Sequence, residues 1–422
     1  MIQDVAARLA EICGAAHVRD AGPDDEVAAA APRWVAAPGT ASATAEVLRL
    51  CADRDLTLIP RGSGSKLDWW TPPSQVDIVL DTSRLAGVWH RPPGSRTVRV
   101  GAGTPLHTAQ QAVGRAGWRM PLDPPSASAT VGGIVATDET GPLSHRHGPP
   151  CRHVTGVDYV DAAGRLVRAA SETDDAGDEP PQLLCGSQGA LAVLVAATVR
   201  LQPVPADRRW VRRTVHTPLE VRDLVGELTV DGLHPVAVEL DLPAHAARTV
   251  RPSQVPPGGQ LAVLFEGEPG LNRQRAGRAA ALLGGDAVDT ARPPVWWRRY
   301  PFTASDIALR LDVPAAHLHA AIYAVRDAVG APIGVRGSVG TGLVHAVLPG
   351  STTPERVAET LATVRSVLLA RSGSCVVLTA PAEVRQAVDI WGHRPGLPRL
   401  LELKQRFDPQ HRLAPGRFTG GS

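Results

Sequence analysis

The run Arg61-Gly62-Ser63-Gly64-Ser65-Lys66 is the stretch of this chain best suited to chemistry. It follows an apolar, strand-like segment. Its two glycines permit the φ > 0 conformations that turn successive backbone N–H groups toward one point. A nest of that kind favours an anion, and a pyrophosphate carries such charge. Arg61 and Lys66 are placed to add charge-assisted contacts. Two familiar phosphate motifs do not apply. The spacing of G-x-x-x-x-G-K-[ST] is absent, and Leu67 stands where the third glycine of G-x-G-x-x-G would fall. By itself the run reads equally well as a solvated turn.

A few other residues have the right chemistry. His345, in Gly342-Leu343-Val344-His345-Ala346, sits in an apolar strand-like run, as a proton acceptor or as a plain strand histidine. Arg298 and Arg336 are candidates to clamp a carboxylate, although arginine is abundant throughout. His145, His147, Cys151 and His153 are metal-ligand types, but Pro149-Pro150 stiffens their loop and no metal is predicted. Trp296 and Trp297 read as packing residues. The Arg208–Arg213 cluster around Trp210 reads as an exposed strand edge.

The elements that must position these residues alternate along the first half. A helix is expected over 40–53 and strands over 56–59, 76–80, 87–90 and 97–100. Thr104-Pro105 opens a second helix that closes near 114–117. Strands are expected over 131–137, 154–160 and 190–201. An acidic, proline-containing surface loop is expected over 174–181. Pro203-Val204-Pro205 marks a boundary. Beyond it, strands are expected at 236–240 and 260–265 and helices at 271–283, 315–329, 354–370 and 381–389.

Composition narrows the class. The 422 residues suffice for two domains of ordinary size. With 43% hydrophobic and 20% charged residues, the balance is that of a globular protein. The start, 1–13, has an amphipathic helix pattern rather than a clean apolar centre, no run is long enough to span a bilayer, and a cytoplasmic location is expected. A net charge of +2 gives no pull toward nucleic acid. The five cysteines are scattered with no C-x-x-C pair, so the chain has no evident iron–sulfur ligands of its own.

The order of several weak motifs is more specific than any one of them. Pro60-Arg61-Gly62-x-Gly64 is followed by Leu80-Asp81, Gly101-x-Gly103, Pro121-x-Asp123-Pro124, Thr130-Val131-Gly132-Gly133 and Gly186-Ser187-x-Gly189. This succession resembles the FAD-binding domain of the vanillyl-alcohol oxidase and p-cresol methylhydroxylase (PCMH) superfamily. The tail motifs are Ala380-Pro381, Asp389-Ile390-Trp391-Gly392, Phe407-Asp408-Pro409 and Pro415-Gly416-Arg417-Phe418. They resemble the smaller FAD-binding subunits of bacterial glycolate oxidases.

The resemblance implies an α+β fold. A PCMH-type FAD-binding domain of two α+β subdomains would occupy 32–204, after an N-terminal helix and linker over 1–31. A smaller α+β cap would span 205–380, and a helix and tail over 381–422 would return to the flavin domain. FAD would be held by Arg61, Gly62, Ser63, Gly64, Ser65 and Lys66 at the pyrophosphate. Pro121, Leu122, Asp123, Thr130, Val131, Gly132 and Gly133 would line the flavin and its phosphates, with Thr137, Gly141 and Gly148 continuing that wall. Gly186, Gly189 and Val195 would lie near the adenosine half, and Pro415 and Gly416 would bring the tail back. The implied activity is oxidation of a small 2-hydroxy acid by hydride transfer to FAD, with His345, Arg298 and Arg336 as candidate catalytic residues. The alternative is a non-catalytic FAD-binding or electron-relay subunit. The implied partners are a larger FAD subunit and an iron–sulfur subunit.

The chain departs from the family pattern at two informative positions. Ala414 stands where an asparagine is usual. Ser65 stands where many members carry the histidine that bonds covalently to the flavin. Serine has no nucleophilic imidazole, so the FAD is expected to be noncovalent. Acid-precipitated protein should release its yellow chromophore into the supernatant; colour kept in the pellet would exclude this reading.

Overall fold

The structure, a computed structural model, describes residues 2–417 apart from 29, 92, 171–179 and 245–257. Most of the acidic loop expected over 174–181 lies outside the described residues. The chain divides into two compact units. The first comprises Met1–Thr140, Pro149–Val204 and Arg394–Ser422; the second comprises Gly141–Gly148 and Pro205–His393. The first unit thus takes in the N-terminal 31 residues, and the second takes in 141–148 and extends to residue 393.

The first unit holds two main sheets. One has the strand order Val18–Asp20, Trp34–Ala36, Ile78–Asp81, Leu58–Arg61, with the last three mutually parallel. Helix Ala41–Arg54 connects two of these parallel strands. Thr40 caps it by accepting from the Ala43 amide at 3.0 Å, and Asp55 ends it in the left-handed region. Leu9 from the N-terminal helix Ile2–Cys13 is fully buried in the same core as Leu48, Leu58 and Leu80, so the N-terminal helix belongs to this fold.

The second sheet is antiparallel, in the order Val88–His90, Thr97–Gly101, Val193–Arg200, Val154–Val160, Leu166–Ala170. The segment 131–137, expected as a strand, is instead the helix Val131–Thr137. Thr130 caps it, and Val131, Ile134 and Val135 fall on one helical face with 0% exposure. The decisive signal was an i, i+3, i+4 spacing hidden by β-branched residues.

The C-terminal tail completes the first sheet. The Leu58 amide donates to the Arg412 carbonyl and the Ala414 amide to the Leu58 carbonyl, each at 2.8 Å. Helix Leu397–Phe407 anchors the tail through Lys404, whose Nζ donates to Asp408 at 2.5 Å and to the carbonyls of Ala190 and Leu413 at 2.7 Å each. Lys404 is 2% exposed and Asp408 0%. Burial holds the lysine below its ordinary pKa, while Asp408 opposes the shift.

The second unit is built on one eight-stranded antiparallel sheet. Its order is Val288–Thr290, Asp207–Val215, Gly259–Gly267, Ala237–Leu242, Gly334–Ser338, Leu343–Leu348, Ile307–Asp312, Ser374–Thr379. Asp207–Val215 is paired on both sides over 210–212, so of the arginines expected at an edge only Arg212 lies in the doubly paired stretch. Strands at 307–312, 334–338 and 374–379 went unrecognised in the sequence. Along the strands the residues alternate between the faces. One face carries fully buried Val263, Phe265, Leu309, Leu311 and Ala346, and helices Pro218–Val230, Pro269–Leu283, Leu318–Val329 and Pro354–Leu369 belong with it. The opposite face is polar along Asp241, Arg336, His345 and Arg310 and apolar around Trp210, Ala237 and Leu264.

Replacing Lys404 by Met leaves Asp408 as an uncompensated buried charge. Lys404→Met is expected to lower unfolding free energy by ~3–5 kcal/mol. Denaturant unfolding measures this; a loss below ~1 kcal/mol would contradict the role given to the pair.

Candidate functional site

The first unit contains a cleft of about 730 Å³, open to solvent. Arg61, Gly62, Ser63, Gly64, Ser65 and Lys66 line it, and Thr130, Gly132, Gly133, Thr137 and Gly189 form more of its wall. Gly62 is required by close approach, since a Cβ there would sit 2.3 Å from Thr130 Oγ1. Gly64 adopts φ +79°, in the region that favours glycine.

Among the described residues the amides of Gly62, Ser63, Gly64, Ser65 and Lys66 donate to no protein acceptor. The first turn of helix Val131–Thr137 differs. Its Val131 amide donates to the Thr104 carbonyl at 2.9 Å, Gly132 to Ala102 at 2.8 Å and Gly133 to Thr130 Oγ1 at 3.2 Å. The anion-binding capacity of the cleft therefore resides in the loop, and the helix start supplies wall.

The two cations of the loop are engaged. Arg61 donates to Asp25 at 2.7 Å and to Asp81 at 3.1 Å. Lys66 pairs with Glu139, donates to Ser126 Oγ at 2.8 Å and lies 5.3 Å from the Trp69 ring centroid. Burial lowers the Lys66 pKa, with the Glu139 carboxylate opposing the shift, and Lys66 and Glu139 are 8% and 6% exposed. The charge-assisted contacts expected from Arg61 and Lys66 are thus directed at carboxylates, and backbone amides are left as the donors for an anion.

Other expected residues lie behind the lining. Val131 and Val195 are fully buried in the two cores, and Leu122 is 4% exposed in one of them. Pro121 and Asp123 flank Leu122 in the same buried turn. The Gly186 amide donates to the Val135 carbonyl at 3.0 Å, and Pro415 accepts from the Ser74 amide at 2.9 Å, with Gly416 beside Ser74. Gly141 and Gly148 belong to the second unit, where they bound the short helix Ser144–His147.

Several lining residues escaped the sequence reading. Arg417, beyond the Pro415-Gly416 pair, reaches the cleft and donates to the Leu67 carbonyl. Gln188 also lines it, at φ +56°, with its amide donating to the Ala136 carbonyl at 2.6 Å. Its side-chain Oε1 is buried with no donor among the described residues. A buried acceptor in that state is unfavourable by ~1–3 kcal/mol, so it fits a ligand carrying an N–H edge. The unbonded amides fit a pyrophosphate, and together these features suit FAD. The motif Gly186-Ser187-Gln188-Gly189 held the signal, with Gln188 at its variable place.

In the second unit, cross-strand register places Asp241, Arg336, His345 and Arg310 side by side on the polar face. Arg336 Nε donates to Asp241 at 2.8 Å, and its Nη1 to the carbonyls of Tyr300 and Arg299 at 3.2 and 3.3 Å. Arg310 is different. Its Nε is buried without an acceptor among the described residues, and its nearest carboxylate, Asp312, is 3.9 Å from Nη2. His345 stands edge-on to Tyr300 at 5.0 Å, with Phe302 at 6.0 Å. Burial, then the Arg310 charge, pushes its pKa down to about 3. Arg298 holds φ +56°, next to the tilted pair Trp296–Trp297. Among the described residues no group of three His, Cys, Asp or Glu side chains is arranged to hold a metal ion, and no helix is long and apolar enough to cross a membrane.

Residues 32–170 match a family of proteins described as FAD binding domain. Over that stretch the chain carries an FAD-binding domain, and FAD is its cofactor. Among curated proteins it is similar to D-lactate dehydrogenase of Archaeoglobus fulgidus, 30% identical over 175 residues, which is 41% of this chain and 39% of that one. It is 28% identical over 181 residues to glycolate oxidase subunit GlcD of Bacillus subtilis, covering 42% and 38%. Mitochondrial D-2-hydroxyglutarate dehydrogenase of Bos taurus is 30% identical over 172 residues, covering 40% and 32%. These matches span about two fifths or less of each relative. Solved structures of alkyldihydroxyacetonephosphate synthase share the fold. One superposes with a TM-score of 0.73 at 15% identity, over 98% of this chain and 85% of that one.

The depressed pKa of His345 has a defined sign. Unfolded histidine titrates near 6.5, whereas the folded ring stays neutral to about pH 3. Below pH 6.5 the unfolded state takes up a proton that the folded state refuses, so stability falls as pH drops toward 3. His345→Gln should flatten this fall between pH 6.5 and 4. Urea unfolding at stepped pH checks it, and identical slopes in both proteins would refute it.

Proposed function

We propose that this chain is an FAD-linked oxidoreductase that oxidises the CH–OH group of a small 2-hydroxy acid. FAD, when bound, supplies the hydride acceptor. The amides of Gly62 to Lys66 would hold its pyrophosphate, and Gln188 would accept from one of its N–H edges. Noncovalent attachment is favoured because no histidine, cysteine or tyrosine lines the cleft among the described residues.

The observation that carries the substrate assignment is the contrast between Arg310 and Arg336. Arg336 already holds Asp241, whereas the guanidinium of Arg310 lacks a full partner. Arg310 would bind the substrate carboxylate by charge-assisted hydrogen bonds. His345, neutral at physiological pH, would accept the hydroxyl proton at a ring nitrogen, and the Tyr300 and Phe302 rings would give it an apolar wall. Arg298 would act as a second anion contact. The names of these three relatives, D-lactate dehydrogenase, a glycolate oxidase subunit and D-2-hydroxyglutarate dehydrogenase, favour this substrate class.

A second reading is favoured by one relative being itself a glycolate oxidase subunit. In it, the chain binds FAD and relays electrons in an assembly with a larger flavin subunit and an iron–sulfur subunit. One anaerobic titration separates the two. Glycolate or D-lactate should bleach the flavin absorbance of the isolated protein. An unchanged oxidised spectrum supports the relay subunit instead. Arg310→Met should raise the apparent Kd for the hydroxy acid ~10–100-fold, the worth of a charged hydrogen bond.

A further inference from the structure

Residues 25–28 lie outside the 32–170 stretch that matches the FAD-binding family, yet they reach both ends of the loop that carries the unbonded amides. At the start of the loop, Asp25, 2% exposed, accepts from Arg61 Nη1 at 2.7 Å. Asp25 is itself fixed from behind. Arg19 donates to both carboxylate oxygens at 2.6 and 2.7 Å, and the Gly22 amide donates at 2.9 Å. The Arg19 hydrogen bonds, then those of Gly22 and Arg61, hold its carboxyl well below the usual carboxylate range, so Asp25 stays charged at any physiological pH. At the far end, the Ala28 amide donates to Asp68 Oδ1 at 2.9 Å, and Ala28 adopts φ +51°. That left-handed geometry is unfavourable for alanine, and strain of this kind is kept only where surrounding contacts demand it. Between the two, Val27 is fully buried in one cluster with Ile59 before the loop, and Leu67 just after the loop packs against that cluster.

These contacts answer a physical need. A loop with two glycines has high conformational freedom, and a row of unbonded N–H groups gains nothing internally by lining up. Binding an anion with affinity requires the row to be arranged beforehand by something outside it. We propose that residues 25–28 are a positioning brace for the cofactor nest, and that Asp25 is a positioning residue acting through Arg61. The proposal rests on the reading of this loop as the pyrophosphate site. It makes a segment outside the matched domain a working part of cofactor binding, through Asp25, which does not line the cleft.

The test uses the full-length apo-protein with two ligands that share a pyrophosphate: FAD, followed by flavin fluorescence, and ADP, followed by calorimetry. Wild type, Asp25→Asn, Arg61→Met and the double variant are compared. Asp25→Asn and Arg61→Met should each weaken both ligands about tenfold, or ~1.4 kcal/mol. The double variant should be no weaker than Arg61→Met alone, because Asp25 acts only through Arg61. Binding by Asp25→Asn within twofold of wild type overturns the proposal. So do losses that multiply in the double variant, since these mark Asp25 as a general structural residue. If Asp25→Asn does not fold, Asp68→Ala tests the other end of the brace against the same limits. Gly64→Ala separates the brace from the nest. Unchanged FAD binding in Gly64→Ala sinks the nest itself; weakened binding there with an unaffected Asp25→Asn sinks the brace alone.

Discussion

A row of backbone N–H groups facing a cleft without acceptors is electrostatically uncomfortable until an anion arrives. Much of the first unit is arranged to keep such a row in place between Gly62 and Lys66. The strand before it is paired on one side by Ile78–Asp81 and on the other by the C-terminal tail. The nearby carboxylates that could accept from the amides are occupied instead, Asp25 and Asp81 by Arg61 and Glu139 by Lys66. The loop's own carboxylate, Asp68, is occupied by the Ala28 amide. Each of these contacts removes an alternative partner from the nest, which leaves its dipoles directed at a ligand.

The second unit solves a related problem with side chains. A sheet with one face turned to helices must place its polar residues on the other, and strand alternation does so automatically. The result is a line of charged and titratable groups in register across the central strands. Within that line the ion pair of Asp241 with Arg336 is internally balanced, while Arg310 is not. After burial, the Arg310 charge also helps keep the neighbouring imidazole neutral. One imbalance thus sets the character of two residues.

The glycine loop was legible in the sequence because its signal is local: a strand, then residues whose backbone freedom is unusual. The alternating first half was legible for the same reason. What could not be read was non-local. Arg61 and Lys66 look like phosphate ligands until their carboxylates arrive from 36 and 73 residues away. The helix Val131–Thr137 was misread because valine and glycine weaken its helical signature, and tertiary burial of Ile134 and Val135 overrides propensity. Arg310 was invisible because the strand around it was not recognised, and a residue's face has no meaning before its strand is known. Ala414 gives the converse case. Its departure from the expected asparagine was noticed in the sequence, and its φ of +43° explains why asparagine suits the place.

The pairing of the tail with Leu58–Arg61 carries a consequence for biogenesis. Arg417 lies 350 positions after Leu67, the residue whose carbonyl it reaches. At ~5–20 residues per second, translation takes on the order of tens of seconds to cover that distance. Throughout that interval the nascent chain has its cofactor loop but lacks the outer neighbour of the strand leading into it, and an unpaired strand edge invites mispairing. The complete cleft, with Arg417 in its wall and the tail paired to the strand before the loop, therefore exists only once the distal segment has been made.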